Sequence, residues 1–215
     1  MNKTRILLGD DHSLILDGLR GILASHYQVV GAADNGSALV EAALALKPDL
    51  VVFDINMPIL NGIDAARQIK KALPAVKLVC LSMHANAIYL RKALEAGASA
   101  YVLKSGASEE LLHAIKTVLN GDSWVSPDFS PAVIDDLRNQ PGNSGSSVEL
   151  TKRQRQILQL IAEGRPNKEI AFLLSVSIRT VEFHRYQLMS KLGLRTVADL
   201  TRFAIQEGLA GAMNP

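Results

Sequence analysis

Four short apolar runs in this 215-residue chain lead into polar residues that can do chemistry. Asp10-Asp11 comes after Arg5–Leu8, Asp54 after Leu50–Phe53, Ser82 after Leu78–Leu81 and Lys104 after Ala100–Leu103. Three carboxylates gathered on one edge repel each other unless a cation sits among them. Hard oxygen ligands from one or two carboxylates, completed by water, suit Mg²⁺. A carboxylate beside such a metal can act as a nucleophile towards phosphorus and form an aspartyl phosphate. A hydroxyl (Ser82) and an ammonium (Lys104) are the groups needed to hold the other phosphoryl oxygens. Singly, each residue has a bland reading. A lone Asp at a strand end is usually a turn former or helix cap, Ser82 a cap, Lys104 a solvated cation. Their occurrence together at strand ends is much harder to ascribe to caps. His12, beside the acidic pair, reads as a polar first-turn helix residue rather than an acid/base. Cys80 reads as a buried core thiol.

The elements that must position these groups follow from the hydrophobic pattern. The strand-like runs are Arg5–Leu8, Gln28–Ala32, Leu50–Phe53, Leu78–Leu81 and Ala100–Leu103. Helical spacing appears between and after them, as in Ile15, Leu19 and Ile22, or Ile63, Ala66, Ile69 and Leu73. Five strands alternating with five helices predict a doubly wound, five-stranded parallel sheet, an α/β domain of flavodoxin-like type. Val51–Phe53 and Leu78–Leu81 are apolar without alternation, as central strands buried on both faces should be. In such a sheet, chemistry sits at the carboxyl ends of the strands.

From Asn120 the pattern breaks. Pro127, Pro131 and Pro141 punctuate it, and Pro141–Ser147 has linker composition. Ala132–Leu137 has room for one or two helical turns. From Val148 the pattern is purely helical. Thr151-x-x-Gln154 is a capping-box start, Gly164 a stop, and Asn167 the cap of a second helix. A third helix runs from about Ile178 to Leu192, ended by Gly193. A fourth runs from Thr196 to about Gln206, ended by Gly208. The predicted organisation is therefore 1–122, a linker at 123–147, and a small all-α four-helix domain at 148–211.

Charge divides the same way. Residues 1–123 hold 12 basic and 12 acidic residues, whereas residues 148–215 hold 10 basic against 6 acidic. The basic end favours a polyanion. No apolar run approaches the ~18–20 residues that cross a bilayer, so no membrane partner is expected. Met1–Asp11 is too short and too quickly acidic for a signal peptide. A single cysteine excludes an internal disulfide and fits a reducing compartment. There is no Walker-A loop and no GxGxxG, which argues against nucleotide binding.

In the helical part, Ala171, the small Ser175 and Val181 fit a helix-turn-helix. Val181, Leu188 and Leu192 share one face of the third helix and should pack inward, with Met189 beside them. Arg179, Glu182, Phe183, Arg185 and Tyr186 lie on the other face. Such a helix can enter a major groove, or can be an ordinary amphipathic helix of a small bundle.

Asp10-Asp11, Asp54-Ile-Asn-Met-Pro58-x-x-x-Gly62, Ser82 and Tyr101-x-x-Lys104 resemble the receiver domain of bacterial two-component response regulators, from about Thr4 to Asn120. Leu150-Thr-x-Arg-x-x-x-Ile157-Leu-x-x-Ile-Ala-x-Gly164, Asn167-Lys-Glu-Ile-Ala171, Val176-Ser, Thr180-Val-x-x-His184 and Lys191-Leu-Gly-Leu-Arg195 resemble the LuxR-type DNA-binding domain, from about Val148 to Leu209. The order of the two is that of the NarL/FixJ family. The resemblance implies that Asp54 takes a phosphoryl group from a sensor histidine kinase. It implies that Asp11, Asp54 and the Asn56 backbone carbonyl ligate Mg²⁺, with Asp10 reaching it through water. Ser82 and Tyr101 would be the switch pair, and Lys104 would salt-bridge the phosphoryl group. Thr180 and Lys191 would touch DNA phosphates, while Glu182, Phe183, Arg185 and Tyr186 would face bases. Two positions depart from the pattern. Ser105 stands where many receivers have proline. Glu182 stands where Lys is frequent, and Glu can accept from cytosine N4.

The expectation is a cytoplasmic bacterial transcription factor acting on double-stranded DNA, a homodimer when phosphorylated, and not a turnover enzyme. Phosphorylation would shift Ser82 and Tyr101 and alter the fourth-helix face around His84–Ala96. Two rivals are a phosphatase using Asp54 as nucleophile, and a constitutive DNA-binding protein whose α/β part only dimerises. Asn56, where a phosphatase of that kind needs a general acid, counts against the first. The acid pair and Lys104 count against the second.

Overall fold

The apolar runs become the strands of one parallel sheet. The structure is a computed structural model describing residues 3–83, 85–106, 108–129 and 150–210. The chain divides into two compact units, Met1–Pro141 and Gly142–Pro215. In the first, β1 (Arg5–Gly9), α1 (Ser13–Leu23), β2 (Gln28–Ala33), α2 (Gly36–Leu46), β3 (Leu50–Asp54), α3 (Gly62–Ala72), β4 (Lys77–Ser82), α4 (Ala87–Glu95), β5 (Ala100–Leu103) and α5 (Ser108–Leu119) alternate as expected. The sheet order is β2-β1-β3-β4-β5, the flavodoxin-like arrangement, with one strand more than the sequence predicts.

That sixth strand, β6, is only Trp124–Val125, parallel to Ala100 and Tyr101 of β5. Two residues are too few for a period-2 pattern to register, and Pro127 follows after Ser126. The segment assigned to the linker thus begins as a strand. Ala132–Leu137 and Pro141–Ser147 lie outside the described residues.

Burial on both faces explains the unbroken apolar strands. Ile6, Leu8, Val52, Val79, Leu81 and Val102 pack against Leu16, Leu19 and Leu23 of α1 and Leu111, Ile115 and Val118 of α5. Leu7, Val51, Phe53, Leu78 and Cys80 face the opposite layer, formed with α2, α3 and α4. Successive side chains of one strand therefore feed two different cores.

The second unit comprises α6 (Lys152–Ala162), α7 (Asn167–Leu173), α8 (Ile178–Leu192) and α9 (Val197–Gln206). Thr151 and Gln154 form the expected capping box, and Thr196 with Asp199 forms another. Gly193 ends α8 with φ 66°, a left-handed position that favours glycine. One cap is corrected. Pro166, not Asn167, holds the cap position of α7, and no side chain caps it. Asn167 is already inside the helix, because Pro166 supplies the extended backbone from which it starts. Ile157, Leu158, Ile170, Val181, Leu188, Leu200 and Ala204 form this unit's core.

Candidate functional site

Strand order reverses at β1, whose neighbours β2 and β3 are reached in opposite directions. Asp10-Asp11 and Asp54 flank the resulting crevice at the strands' carboxyl ends, where doubly wound sheets bind their ligands. Asp54 is the last residue of β3 and Ser82 the last of β4, rather than residues beyond the strands. Asp10, Asp54 and Ser82 are buried, whereas Asp11 is exposed and Asn56 half-buried.

Lys104 bridges the acids. Its Nζ lies 2.6 Å from Asp10 Oδ2 and 3.2 Å from Asp54 Oδ2. The other Asp10 oxygen accepts from the His12 backbone amide at 3.0 Å. His12 precedes α1 at the cap position, not in its first turn. Its Nδ1 lies 2.9 Å from Asp11 Oδ1 and 3.2 Å from Asp10 Oδ1. The three side chains each offer one ligand atom within 4.8 Å of the others. Carboxylate oxygens of Asp10, Asp11 and Asp54 fit a hard cation, while the His12 nitrogen suits Mg²⁺ less well than they do.

Two buried carboxylates share one ammonium, and the charge balance falls on Asp54. Loss of hydration pushes its carboxyl above the usual range and Asp10 adds to this, while Lys104 and the Ile55 amide oppose it. Lys104 fares better. Burial works against its charge, but Asp54 and then Asp10 outweigh that, so its ammonium is held above the ordinary value. Three carboxylates against one ammonium leave the cluster net negative, which favours a further cation.

The β3–α3 loop is held tightly over this floor. The Gly62 amide donates to Ile55 O at 2.9 Å, and a Cβ at Gly62 would collide with the Asp54 carbonyl oxygen. Ile59 takes φ 70°, an uncommon conformation for a β-branched residue. Gly62→Ala is therefore expected to lower the stability of this unit by about 1–3 kcal/mol. Denaturant titration of the full chain checks it; an unchanged midpoint contradicts the close approach.

Tyr101 is fully buried and joined to Ser82 by a side-chain hydrogen bond. Burial pushes its hydroxyl well above the usual range. Phe129 packs edge-on against its ring at 5.3 Å between centroids. The switch pair named from sequence is thus in contact, with the ring already inside. His84 lies outside the described residues.

In the helical unit, α7 and α8 meet through a turn containing Ser175 at φ 51°. The Arg153 guanidinium donates to Leu174 O at 2.7 Å and ties the turn to α6. Ser177 caps α8, accepting from the Thr180 amide at 3.0 Å. Val181 and Leu188 are buried, with Leu192 and Met189 packed against them. Arg179, Glu182, Phe183, Tyr186 and Lys191 are exposed, and Thr180 half-buried. Arg185 is half-buried, closer to the packed side than the outward face predicted for it. Ser175→Gly removes the left-handed penalty and is expected to stabilise this unit by about 0.5–1 kcal/mol. A lower melting temperature contradicts it.

Residues 6–116 match the model of the response regulator receiver domain, and residues 148–204 that of the bacterial regulatory proteins of the luxR family. The chain is a response regulator of the NarL/FixJ family. The transcriptional regulatory protein MctR of Rhizobium johnstonii is 41% identical over 209 residues, covering 96% of this chain and 95% of MctR. The oxygen regulatory protein NreC of Staphylococcus carnosus is 33% identical over 213 residues, covering 95% of this response regulator and 98% of NreC. Among solved structures, Salmonella typhimurium RcsB aligns with TM-score 0.61 at 26% identity, covering 96% of this chain and 99% of RcsB. RcsB has also been solved on promoter P1flhDC DNA with the phosphomimetic BeF3⁻, and that chain aligns with TM-score 0.56 at 27% identity, covering 97% of this response regulator and 100% of its own length.

Sequence reasoning passed over Glu110 and Ser126 in the receiver, and met Arg153 only as a motif position, without the tie it makes to Leu174. Ser126 is fully buried, and its hydroxyl donates to Glu110 and accepts from the Leu103 amide. The one signal was a serine immediately before Pro127, which reads as ordinary loop composition.

Proposed function

We propose that the protein is a phosphorylation-controlled transcription factor whose receiver (1–122) takes a phosphoryl group on Asp54 from a sensor histidine kinase. The observation that carries this is the Lys104 ammonium spanning Asp10 and Asp54 at 2.6 and 3.2 Å, with Ser82 at the next strand end. An Asp54 oxygen attacks phosphorus in line with the leaving nitrogen; the phosphorus–nitrogen bond breaks and Asp54 becomes the aspartyl phosphate. Lys104 and the Ser82 hydroxyl take phosphoryl oxygens. Asp11, Asp54 and the Asn56 carbonyl would hold Mg²⁺, with Asp10 acting through water. That ion, when bound, neutralises the acidic cluster and the charge that develops on the phosphoryl oxygens.

Asn56 offers no carboxylate two residues past Asp54 to activate a water against the acyl phosphate, so the phosphorylated state persists as a signal rather than turning over. The added −1.5 to −2 charges (an approximate range) act through Ser82 and Tyr101, residues already in contact. A linker at 123–147 leads to the DNA-binding domain at 148–211. There α8 presents Arg179, Glu182, Phe183, Arg185 and Tyr186 to bases, with Thr180 and Lys191 on phosphates. RcsB assembles as dimers on DNA, and a homodimer on double-stranded DNA is the corresponding reading here. Among the described residues, no helix is long and apolar enough to cross a membrane. The reading puts the protein in the bacterial cytoplasm, where its kinase partner's phosphohistidine and its DNA both reside.

Incubation with acetyl phosphate and Mg²⁺ tests this. Mass spectrometry should map one phosphoryl group to Asp54, and selection from random DNA should be stronger afterwards than before. A phosphoryl group mapped to another residue sinks it.

A further inference from the structure

We infer that Glu110 and Ser126 are positioning residues that hold Lys104 over Asp54, an inference resting on the phosphoacceptor reading above. Lys104 sits at the first position after β5, where regular pairing ends. On the β4 side its own amide donates to Ser82 O at 2.8 Å. On the other side β6 has already stopped. The Ser126 amide reaches Tyr101 O at 3.0 Å. In a continuing parallel ladder the Ser126 carbonyl would next accept from the Leu103 amide. The Ser126 hydroxyl takes that place instead, accepting from Leu103 N at 3.0 Å.

The same hydroxyl donates to Glu110 Oε1, so its proton and its acceptor capacity are both in use. Glu110 lies in the first turn of α5. Its other oxygen packs against Gly106, where a Cβ would collide with it. The Gly106 amide closes the turn by donating to Leu103 O at 3.0 Å. The segment Leu103–Gly106 is thus held at Lys104 from β4, at Leu103 from the end of β6 and at Gly106 from α5. None of these contacts touches the acidic pair or Asp54.

That separation gives the inference its signature. Lys104 would act on the phosphoryl group, whereas Asp11, Asp54 and the Asn56 carbonyl would hold the metal, with Asp10 acting through water. Loosening the grip should slow phosphoryl transfer without weakening Mg²⁺ binding, because an ammonium that shifts away from Asp10 and Asp54 leaves more negative charge for the cation. Ser126→Ala leaves the Leu103 amide without its acceptor, and Glu110→Ala removes the brace on Gly106.

The test uses the full chain with acetyl phosphate as donor. Initial rates of Asp54 phosphorylation are read by mass spectrometry, and Mg²⁺ affinity separately by calorimetry. Both variants should lose roughly 10-fold in rate, the scale of outer-shell positioning losses, with no loss of Mg²⁺ affinity. Ser126→Thr, which keeps the hydroxyl, should restore the rate. If Ser126→Ala fails to fold, Glu110→Ala carries the comparison, since alanine suits a helix's first turn. Unchanged rates, or rate and Mg²⁺ affinity falling together, overturn the inference. A wild-type chain that takes no phosphoryl group on Asp54 instead overturns the reading beneath it.

Discussion

Asp54→Asn is expected to take up no phosphoryl group from acetyl phosphate and, without Mg²⁺, to melt at a higher temperature than the wild type. The loss follows from chemistry. An amide oxygen is a poor nucleophile, and no other carboxylate of the cluster stands at the end of β3. The gain in stability follows from burial. Asp54 is 3% exposed, and loss of hydration followed by Asp10 raises its carboxyl above the usual range. Folding the wild type therefore forces a carboxylate into a place that disfavours its charge. The neutral amide escapes that cost, and Lys104 keeps its 2.6 Å contact with Asp10. The expected gain is of order 1 kcal/mol at neutral pH.

The sign of its pH dependence can be worked out. A carboxyl raised in the folded state binds its proton before the unfolded chain does. As pH falls through that raised value, the wild type recovers stability that the variant never lost. The gap between the two should shrink towards acid. Adding Mg²⁺ should reverse their order, because a ligand at 100 times its dissociation constant stabilises by about 2.7 kcal/mol and the variant lacks one of its oxygens. Melting curves of both proteins at two pH values, with and without Mg²⁺, decide the matter. A variant less stable than wild type in metal-free buffer contradicts the buried-charge argument.

Most of the receiver was legible because its signals are local. Leu50–Phe53 and Leu78–Leu81 carry no polar residue, so burial on both faces follows from the run itself. Asp54, Ser82 and Lys104 each interrupt an apolar stretch, which marks the strand's carboxyl end and the site at once. Gly193 and Thr196 could be read because one residue's left-handed backbone or capping hydroxyl decides a helix end. What could not be read depends on distant pairing. β6 is a strand only because Tyr101 and its neighbours offer a free edge, and nothing in Trp124–Val125 alone says so. Ser126 and Glu110 are 16 residues apart and meet through that edge. Arg185 is three residues from Glu182, and spacing placed both on one outward face. Yet Arg185 lies four residues after Val181 and three before Leu188, both buried, so helical spacing itself sets it beside the packed face; the outward assignment weighed only its spacing from Glu182.

That placement sharpens what to expect of DNA recognition, where Lys191 and Glu182 should behave differently. Phosphate contacts set affinity and salt dependence, and base contacts set sequence preference. Lys191 lies in the last turn of α8, away from the capped N-terminal end that a recognition helix directs at bases. Lys191→Ala should weaken binding to all sequences about equally and reduce the log–log salt slope by roughly 1. Glu182 is exposed in the second turn, beside Phe183 and Tyr186, which are 56% and 74% exposed. Glu182→Ala should cost about 1–3 kcal/mol on the preferred site and relax preference at one base pair. Arg185→Ala should do the same at a neighbouring pair, but its half-buried stem adds a packing loss. Arg185→Lys, which keeps stem and charge but loses the planar fork, separates the two effects. Two such helices in a dimer would lie about 34–36 Å apart, so half-site centres should fall about 10 bp apart. Selection from random DNA with each variant reads all of this together. If Glu182→Ala and Arg185→Ala keep the full sequence preference while Lys191→Ala changes it, α8 enters the groove by its other end and the assigned base contacts fall.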